Sequence, residues 1–372
     1  MTRLRIAMIG TRGVPTTFGG VERAVEELSA RLSAAGHEVT AYCRTPYSTT
    51  RAKSYRGIRL RYLPAVNTKH LEAISHTLLA TFDAIVRRYD IVHFHALGPS
   101  LCAPLARLAG LRVVTTVHSL DFRGGKWGRV ARRVLRVGAW CSARVPHRTI
   151  VVSRQLQAYF ASEYGCDATY VPNGVNVPAV GRASVTEQRE SGHFLFLGRL
   201  VPEKGVHTLI EAYRGIATDV ALVIAGPSSH SRDYETQLRE LARGDSRISF
   251  VGPAYGDDKA DLVQHAYVLC QPSTHEGLPI VLLEVMSEAV CAIVSDIPEH
   301  LEVVSTETGE HAAIVFRADD VSSLRDALTT ALARPDLVAE IGIAAREIVI
   351  DRYSWEDAAS EVEAIYHELI RM

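Results

Sequence analysis

No apolar run in this chain approaches the ~20 residues that a bilayer-crossing helix needs, so a membrane-spanning helix is excluded. The first ten residues, Met1 to Gly10, hold too short an apolar core for a signal peptide and run straight into a strand. Cysteine is sparse: six residues, at 43, 102, 141, 166, 270 and 291, form no C-x-x-C pair. That scatter excludes a zinc ribbon or disulfide framework and fits buried thiols in a reducing, cytoplasmic compartment. Neither sign of charge dominates, with 41 Lys and Arg against 42 Asp and Glu, so no global field recruits nucleic acid. Two phosphate fingerprints are also missing. G-x-x-x-x-G-K-[ST] does not occur, which disfavours a P-loop NTPase, and neither glycine-rich loop spells the dinucleotide motif G-x-G-x-x-G.

What is present is a repeated alternation of short apolar runs with amphipathic stretches. At 372 residues the chain exceeds the ~250–300 that one core usually supports, so two domains are expected. Strands are read at 5–9, 38–43, 58–63, 90–97, 112–118 and 149–153, separated by helices at 21–35, 71–88, 99–108 and a basic stretch. A helix over 154–164 follows, and Tyr170–Pro178 with the polar residues up to Ser191 forms a linker. The pattern then restarts, with strands at 193–197, 220–225, 248–251, 267–270, 291–295 and 312–316. Strands separated by helices mean a parallel, doubly wound sheet, here in each half. The expected domains are 1–177 and 178–354, with a last helix at about 355–372 packing back on the first.

Two segments carry chemistry at strand ends. Gly198-Arg-Leu-Val-Pro-Glu-Lys-Gly205 opens from a strand into a helix, the edge where open α/β sheets bind ligands. Arg199 and Lys204 serve there either as a diphosphate clamp or as solvated surface charges. Ser273 to Glu284 runs from a strand through a loop into a helix over 278–289, with Pro279 suited to its first position. Glu276 falls in the loop and Glu284 about two turns along the helix, too far apart to share a metal. Backbone around Gly277, Leu278 and Pro279 lies where a helix N-terminus attracts phosphate. The two acids either grip opposite ends of one polar ligand or are a plain loop acid and an ion-paired helix acid. His118 closes the strand 112–118 either as a ligand-facing group or as a core histidine. His93 and His95 point to one face of their strand, but no third metal ligand is evident and packing suits them as well.

Together these segments resemble the retaining glycosyltransferases of family 4, which have the GT-B fold. Glu276 to Glu284 matches that family's E-x7-E motif, and Gly198 to Gly205 its G-R-L-x-x-x-K-G stretch. Pro172-Asn-Gly-Val175 is similar to its linker-proximal P-N-G-V, and Gly19-Gly20 to its N-terminal glycine pair. The similarity spans essentially the whole chain in the family's order. Gly10–Pro15, Gly19–Glu22 and Val117–Asp121 also look like a bacterial, rhamnosyltransferase-like subgroup of surface-polysaccharide assembly.

The resemblance implies two Rossmann-like domains facing across a cleft, a nucleoside-diphosphate sugar as donor, no cofactor and no metal. Arg199 and Lys204 would neutralise the departing diphosphate, which raises rate because that charge develops in the transition state. Glu284 would hold the ribose hydroxyls, Glu276 the transferred sugar, and His118 would face it. Gly19 and Gly20 would let backbone approach the donor phosphate or the acceptor. With both carboxylates so occupied, front-face substitution through an oxocarbenium-like state is expected over double displacement. The rivals are a nucleotide-sugar-binding GT-B protein without transfer, a sugar-nucleotide epimerase of the same fold, and a dehydrogenase, which the missing glycine fingerprint disfavours.

Arg123 to Arg148 holds eight Lys and Arg and no acid. Trp127, Val130, Val134, Val137 and Cys141 share one helical stripe, with Arg129, Arg132, Arg133 and Arg136 mostly opposite. Such a helix either packs its stripe into the core or docks on an anionic membrane surface. The second case suits a lipid-linked acceptor and a peripheral location at the inner face of the membrane.

Overall fold

The computed structural model describes residues 2–16, 19–47, 52–66, 68, 71–124, 127–178, 192–228 and 232–372. Residues 17–18 of the first glycine loop, 125–126 of the basic stretch and 179–191 of the linker lie outside them. The chain divides into two compact units, 1–174 with 355–372, and 175–354. The division falls three residues before the expected 177, because Val175 is already tied into the second unit. Its N–H donates to the Tyr353 carbonyl at 2.9 Å, and it bridges Ser354.

In the first unit the strands are β1 (Arg5–Ile9), β2 (Glu38–Arg44), β3 (Ser54–Tyr55), β4 (Ile58–Leu63), β5 (Ile91–His95), β6 (Arg112–Val117), β7 (Arg148–Val151) and β8 (Thr169–Tyr170). They form one sheet in the order β3-β4-β2-β1-β5-β6-β7-β8, parallel throughout except for β3 against β4. Between them run α1 (Gly20–Ala34), α2 (Glu72–Arg87), α3 (Ala103–Leu108), α4 (Arg129–Arg144) and α5 (Arg154–Tyr164). The central strands are buried over nearly their whole length, as a parallel sheet covered on both faces requires.

The second unit repeats the scheme with β9 (His193–Leu197), β10 (Leu222–Ala225), β11 (Ile248–Gly252), β12 (Ala266–Gln271), β13 (Cys291–Ser295) and β14 (Ile314–Phe316). These are all parallel, in the order β11-β10-β9-β12-β13-β14. Its helices are α6 (Val206–Arg214), α7 (Arg232–Leu241), α8 (Gly256–Gln264), α9 (Ile280–Ser287), α10 (Pro298–Val304), α11 (Val321–Ala333) and α12 (Pro335–Arg352). The final helix, α13 (Trp355–Arg371), packs along α1 of the first unit. There Trp355, Ala358, Val362, Tyr366 and Leu369 join Leu4, Ile6 and Met8 in one core.

Helix α4 is turned differently from its valine stripe. Val130 (76% exposed), Val134 (46%) and Val137 (53%) face outward with Trp140, and of the expected stripe only Cys141 is buried. Leu135, Gly138, Ala139 and Ser142 face inward instead. Size decides this: a Cβ at Gly138 would run into the Leu97 carbonyl, so only the small-residue side of the helix fits so close to the chain beneath it. Ser142, on the same side of the helix, accepts at its carbonyl from Thr149 Oγ1 of β7 at 2.6 Å.

Candidate active site

In the second unit β9 lies centrally, with the chain moving outward to β10 on one side and returning to β12 on the other. The loops after β9 and β12 therefore flank a topological switch point, where open α/β sheets bind ligands. Gly205, at φ +66°, allows those loops to touch, since a Cβ there would strike the Pro272 carbonyl. The Thr274 N–H donates to the Glu203 carbonyl at 2.9 Å and fixes the two loops together.

This contact places Lys204 against Glu276, whose Oε1 accepts from both the Lys204 ammonium and, at 2.7 Å, Ser273 Oγ. The side chains are 17% and 9% exposed. Burial works to raise the Glu276 pKa. The charge of Lys204, the nearby His300 and the hydrogen bonds from Lys204 and Ser273 outweigh it and hold the carboxyl below its ordinary value. The loop thus presents a desolvated carboxylate and a cation already in contact. Arg199, half-buried in the same β9 loop, has no ion-pair partner among the described residues.

Helix α9 begins at Ile280, so Pro279 is its cap and not its first residue, and Glu284 stands just over one turn in, not two. The first N–H groups of a helix have no intrahelical acceptor and favour an anion. Gly277 and Leu278 lie in the loop just before them. Glu284 is paired with Lys259 of α8, a partner the sequence motifs do not point to. Also unmarked in the sequence is α10, which carries Glu299 and His300. Ser295 Oγ donates to the Ser273 carbonyl at 2.5 Å and accepts from His300 Nδ1 at 3.0 Å, so His300 buttresses the Glu276 loop. Burial pushes His300 down to about 4, so it is neutral at pH 7.

In the first unit β1 occupies the corresponding central position, between β2 and β5. Gly10, at φ +124°, ends β1 where a Cβ would meet the His95 carbonyl. Gly19, at φ +71°, caps α1, and Gly20 is its first residue. Acids of α1 hold the intervening loop: Glu22 Oε1 accepts from the Arg12 N–H at 3.4 Å, and Glu26 Oε2 from the Thr16 N–H at 2.6 Å. His118 follows β6, 7% exposed, with its pKa lowered to about 4 by burial. His93 and His95 are buried and stacked on one another, centroids 4.2 Å apart.

Among the described residues one trio has metal-like spacing, His37, Glu363 and His367. His37 Nδ1 accepts the Leu4 N–H at 3.1 Å, so its Nε2 keeps the hydrogen and donates to Glu363 at 3.0 Å. A protonated nitrogen is no ligand, and the trio instead ties α13 to the chain just before β1 and β2.

Two doubly wound parallel sheets in tandem, each with glycine-bearing loops at its switch point, are the architecture of the GT-B fold. Residues 18–178 match the model for Glycosyltransferase Family 4, and residues 182–348 that for Glycosyl transferases group 1. The chain belongs to the family 4 glycosyltransferases. It is 30% identical to the phosphatidyl-myo-inositol mannosyltransferase of Mycobacterium leprae, over 98% of this chain and 96% of that one. It is 26% identical to the glycogen synthase of Mycobacterium tuberculosis, over 98% and 94%. Among solved structures, sucrose-phosphate synthase from Thermosynechococcus elongatus superposes with a TM-score of 0.84 at 22% identity, covering 99% of this chain and all of that one. Anabaena HepE, in complex with UDP and glucose, gives 0.80 at 18%, covering 98% and 100%.

Proposed function

We propose that this glycosyltransferase moves a sugar from a nucleoside-diphosphate sugar to a hydroxyl of a glycan or lipid-linked acceptor in bacterial surface-polysaccharide synthesis. It does so with retention of configuration and without a metal or other cofactor. The observation that carries this reading is the buried contact of Lys204 with Glu276 at the switch point, beside Arg199 and the N-terminus of α9. A sugar diphosphate has hydroxyls for a carboxylate and an anion for cations and helix N–H groups, in adjacent positions. In the reaction the bond between the anomeric carbon and the diphosphate oxygen breaks, the bond to the acceptor oxygen forms on the same face, and the acceptor proton passes to the departing diphosphate. Arg199 and Lys204 balance the charge on that leaving group, supplying what a metal ion otherwise supplies. Complexes of the HepE fold with UDP and glucose support the donor class.

A thermal-shift panel of UDP-, GDP-, ADP- and dTDP-sugars, followed by product NMR with the best donor, tests this. A donor at 100 times its Kd stabilises by about 2.7 kcal/mol, a readily measured rise in Tm. Conversion of the donor without acceptor would mark an epimerase, and binding without turnover a sensor. In the same assay Glu284→Ala is expected to raise the donor KM about tenfold or more with kcat nearly unchanged, since ribose contacts act equally in ground and transition states. A fall in kcat instead would move Glu284 into the chemistry.

The outward face of α4 supports a lipid-linked acceptor. It presents Val130, Val134, Val137 and Trp140 among Arg129, Arg133, Arg136 and Arg144. Apolar groups can enter the headgroup boundary while each arginine near an anionic surface contributes about 1 kcal/mol. The relationship to a phosphatidyl-myo-inositol mannosyltransferase is consistent with such a substrate. Flotation with vesicles containing phosphatidylglycerol is expected to carry the protein up at low salt, and Arg133→Glu with Arg136→Glu to lower that binding at least tenfold. Equal binding to neutral vesicles would remove the role of the arginines, and none at any salt the membrane role itself.

A further inference from the structure

His118 is one end of a buried chain of imidazoles. Its Nε2 lies 3.2 Å from Nδ1 of His95, the last residue of β5, and the rings stack at 26°. The other nitrogen of His95, Nε2, lies 3.5 Å from the Met8 sulfur on β1. A thioether has no hydrogen to give and only weak acceptor capacity, so this contact requires that His95 Nε2 carry the hydrogen. The opposite assignment would set a nitrogen lone pair against the sulfur lone pairs. A neutral imidazole has one N–H, which leaves His95 Nδ1 as an acceptor. The hydrogen between the two rings therefore sits on His118 Nε2, and His118 Nδ1 is a bare lone pair. That nitrogen is buried and has no hydrogen-bond partner among the described residues.

The rest of the cluster holds this arrangement still. His93 is bonded at both nitrogens, Nδ1 to the Tyr366 hydroxyl at 2.5 Å and Nε2 to Thr116 Oγ1 at 2.7 Å, and forms the floor on which His95 stacks. Burial keeps all three rings uncharged: His95 falls well below its ordinary pKa, His93 to about 3 and His118 to about 4. A buried acceptor without a donor is costly, on the order of 1–3 kcal/mol, and a ligand hydroxyl would remove that cost.

We infer that Met8 and His95 set the tautomer of His118 so that Nδ1 accepts a hydrogen bond from a substrate hydroxyl. His95 is then a positioning residue and His118 an uncharged acceptor, neither general acid nor imidazolium. The inference rests on the reading that His118 faces substrate.

Long-range proton–nitrogen correlation spectra of 15N-histidine-labelled protein test it without any variant in the site. His118 is expected to show an unprotonated Nδ1 and a protonated Nε2 at pH 7, and the reverse pattern overturns the inference. Met8→Leu removes the sulfur acceptor and is expected to mix the two tautomers. His95→Asn offers an amide oxygen where Nδ1 stood and is expected to keep Nδ1 of His118 bare, with kcat within about threefold of wild type. His95→Phe keeps the stack but loses the acceptor, with kcat down roughly tenfold, the worth of a neutral hydrogen bond. Equal activity of the Asn and Phe variants counts against the positioning role. Full activity of His118→Ala would instead remove the substrate-facing reading of His118 while the tautomer pattern stood.

Discussion

Glu276→Ala is expected to lower kcat by on the order of 10²- to 10³-fold, the range seen when one preorganised polar group is removed from a transition state. The carboxylate is buried and held ionised by Lys204 and Ser273, so it can accept a strong, charge-assisted hydrogen bond from the transferred sugar. Positive charge grows at the anomeric carbon as the leaving group departs, and a fixed anion nearby stabilises that state more than the ground state. The donor KM should change far less than kcat. Glu276→Gln keeps shape and one acceptor and should fall between. Steady-state kinetics decide the matter, and near-normal turnover by the alanine variant would sink the assigned role.

Lys204→Met is expected to lower kcat by a similar factor and to cost stability in a pH-dependent way. Removing one partner of a buried ion pair costs about 3–5 kcal/mol, because the remaining charge stays desolvated. In wild type the folded-state pKa of Glu276 is depressed. Its contribution is therefore present above the unfolded carboxylate pKa, about 4.3, and lost as pH falls through the lower folded value. Without Lys204 the burial effect dominates, the folded pKa rises, and the cost appears only where the carboxylate is ionised. The stability gap between variant and wild type should be widest near pH 7.5 and narrow toward pH 4, by urea unfolding. Lys204→Met with Glu276→Gln should recover most of the stability and none of the activity. A gap independent of pH would place the loss in packing.

Much of the scaffold was legible because parallel strands buried on both faces read as short apolar runs, and because glycines mark where loops approach one another. Arg5–Ile9, His193–Leu197 and Cys291–Ser295 emerge at their expected bounds for that reason. The strands β3 and β8 are two residues each and carry no period to detect. Helix α10 is seven residues of mixed polarity, too short for a 3.6-residue pattern, and with it His300 escaped notice. The buried face of α4 stayed open in the sequence because the valines supply the visible period, whereas the close approach of Gly138 to Leu97 decides the orientation. Within the site, the E-x7-E and G-R-L stretches mark Glu276 and Lys204, but not that they touch. That depends on β9 and β12 being neighbours in the sheet. Lys259 lies 25 residues from Glu284, and only the packing of α8 makes them partners.

The return of α13 to the first unit has a consequence for how the molecule is made. Seven of its residues, from Trp355 to Leu369, are buried, yet the ribosome delivers them after the whole of the second unit. The first unit emerges first but completes its core last, once residues 355–369 have left the exit tunnel. Until then Leu4, Ile6 and Met8 lack the surface that covers them, and His93 lacks the Tyr366 hydroxyl. A nascent chain with residues 1–354 outside the tunnel and Trp355 onward still within it would hold a finished second domain and an unfinished first one, the reverse of the order in which they were translated.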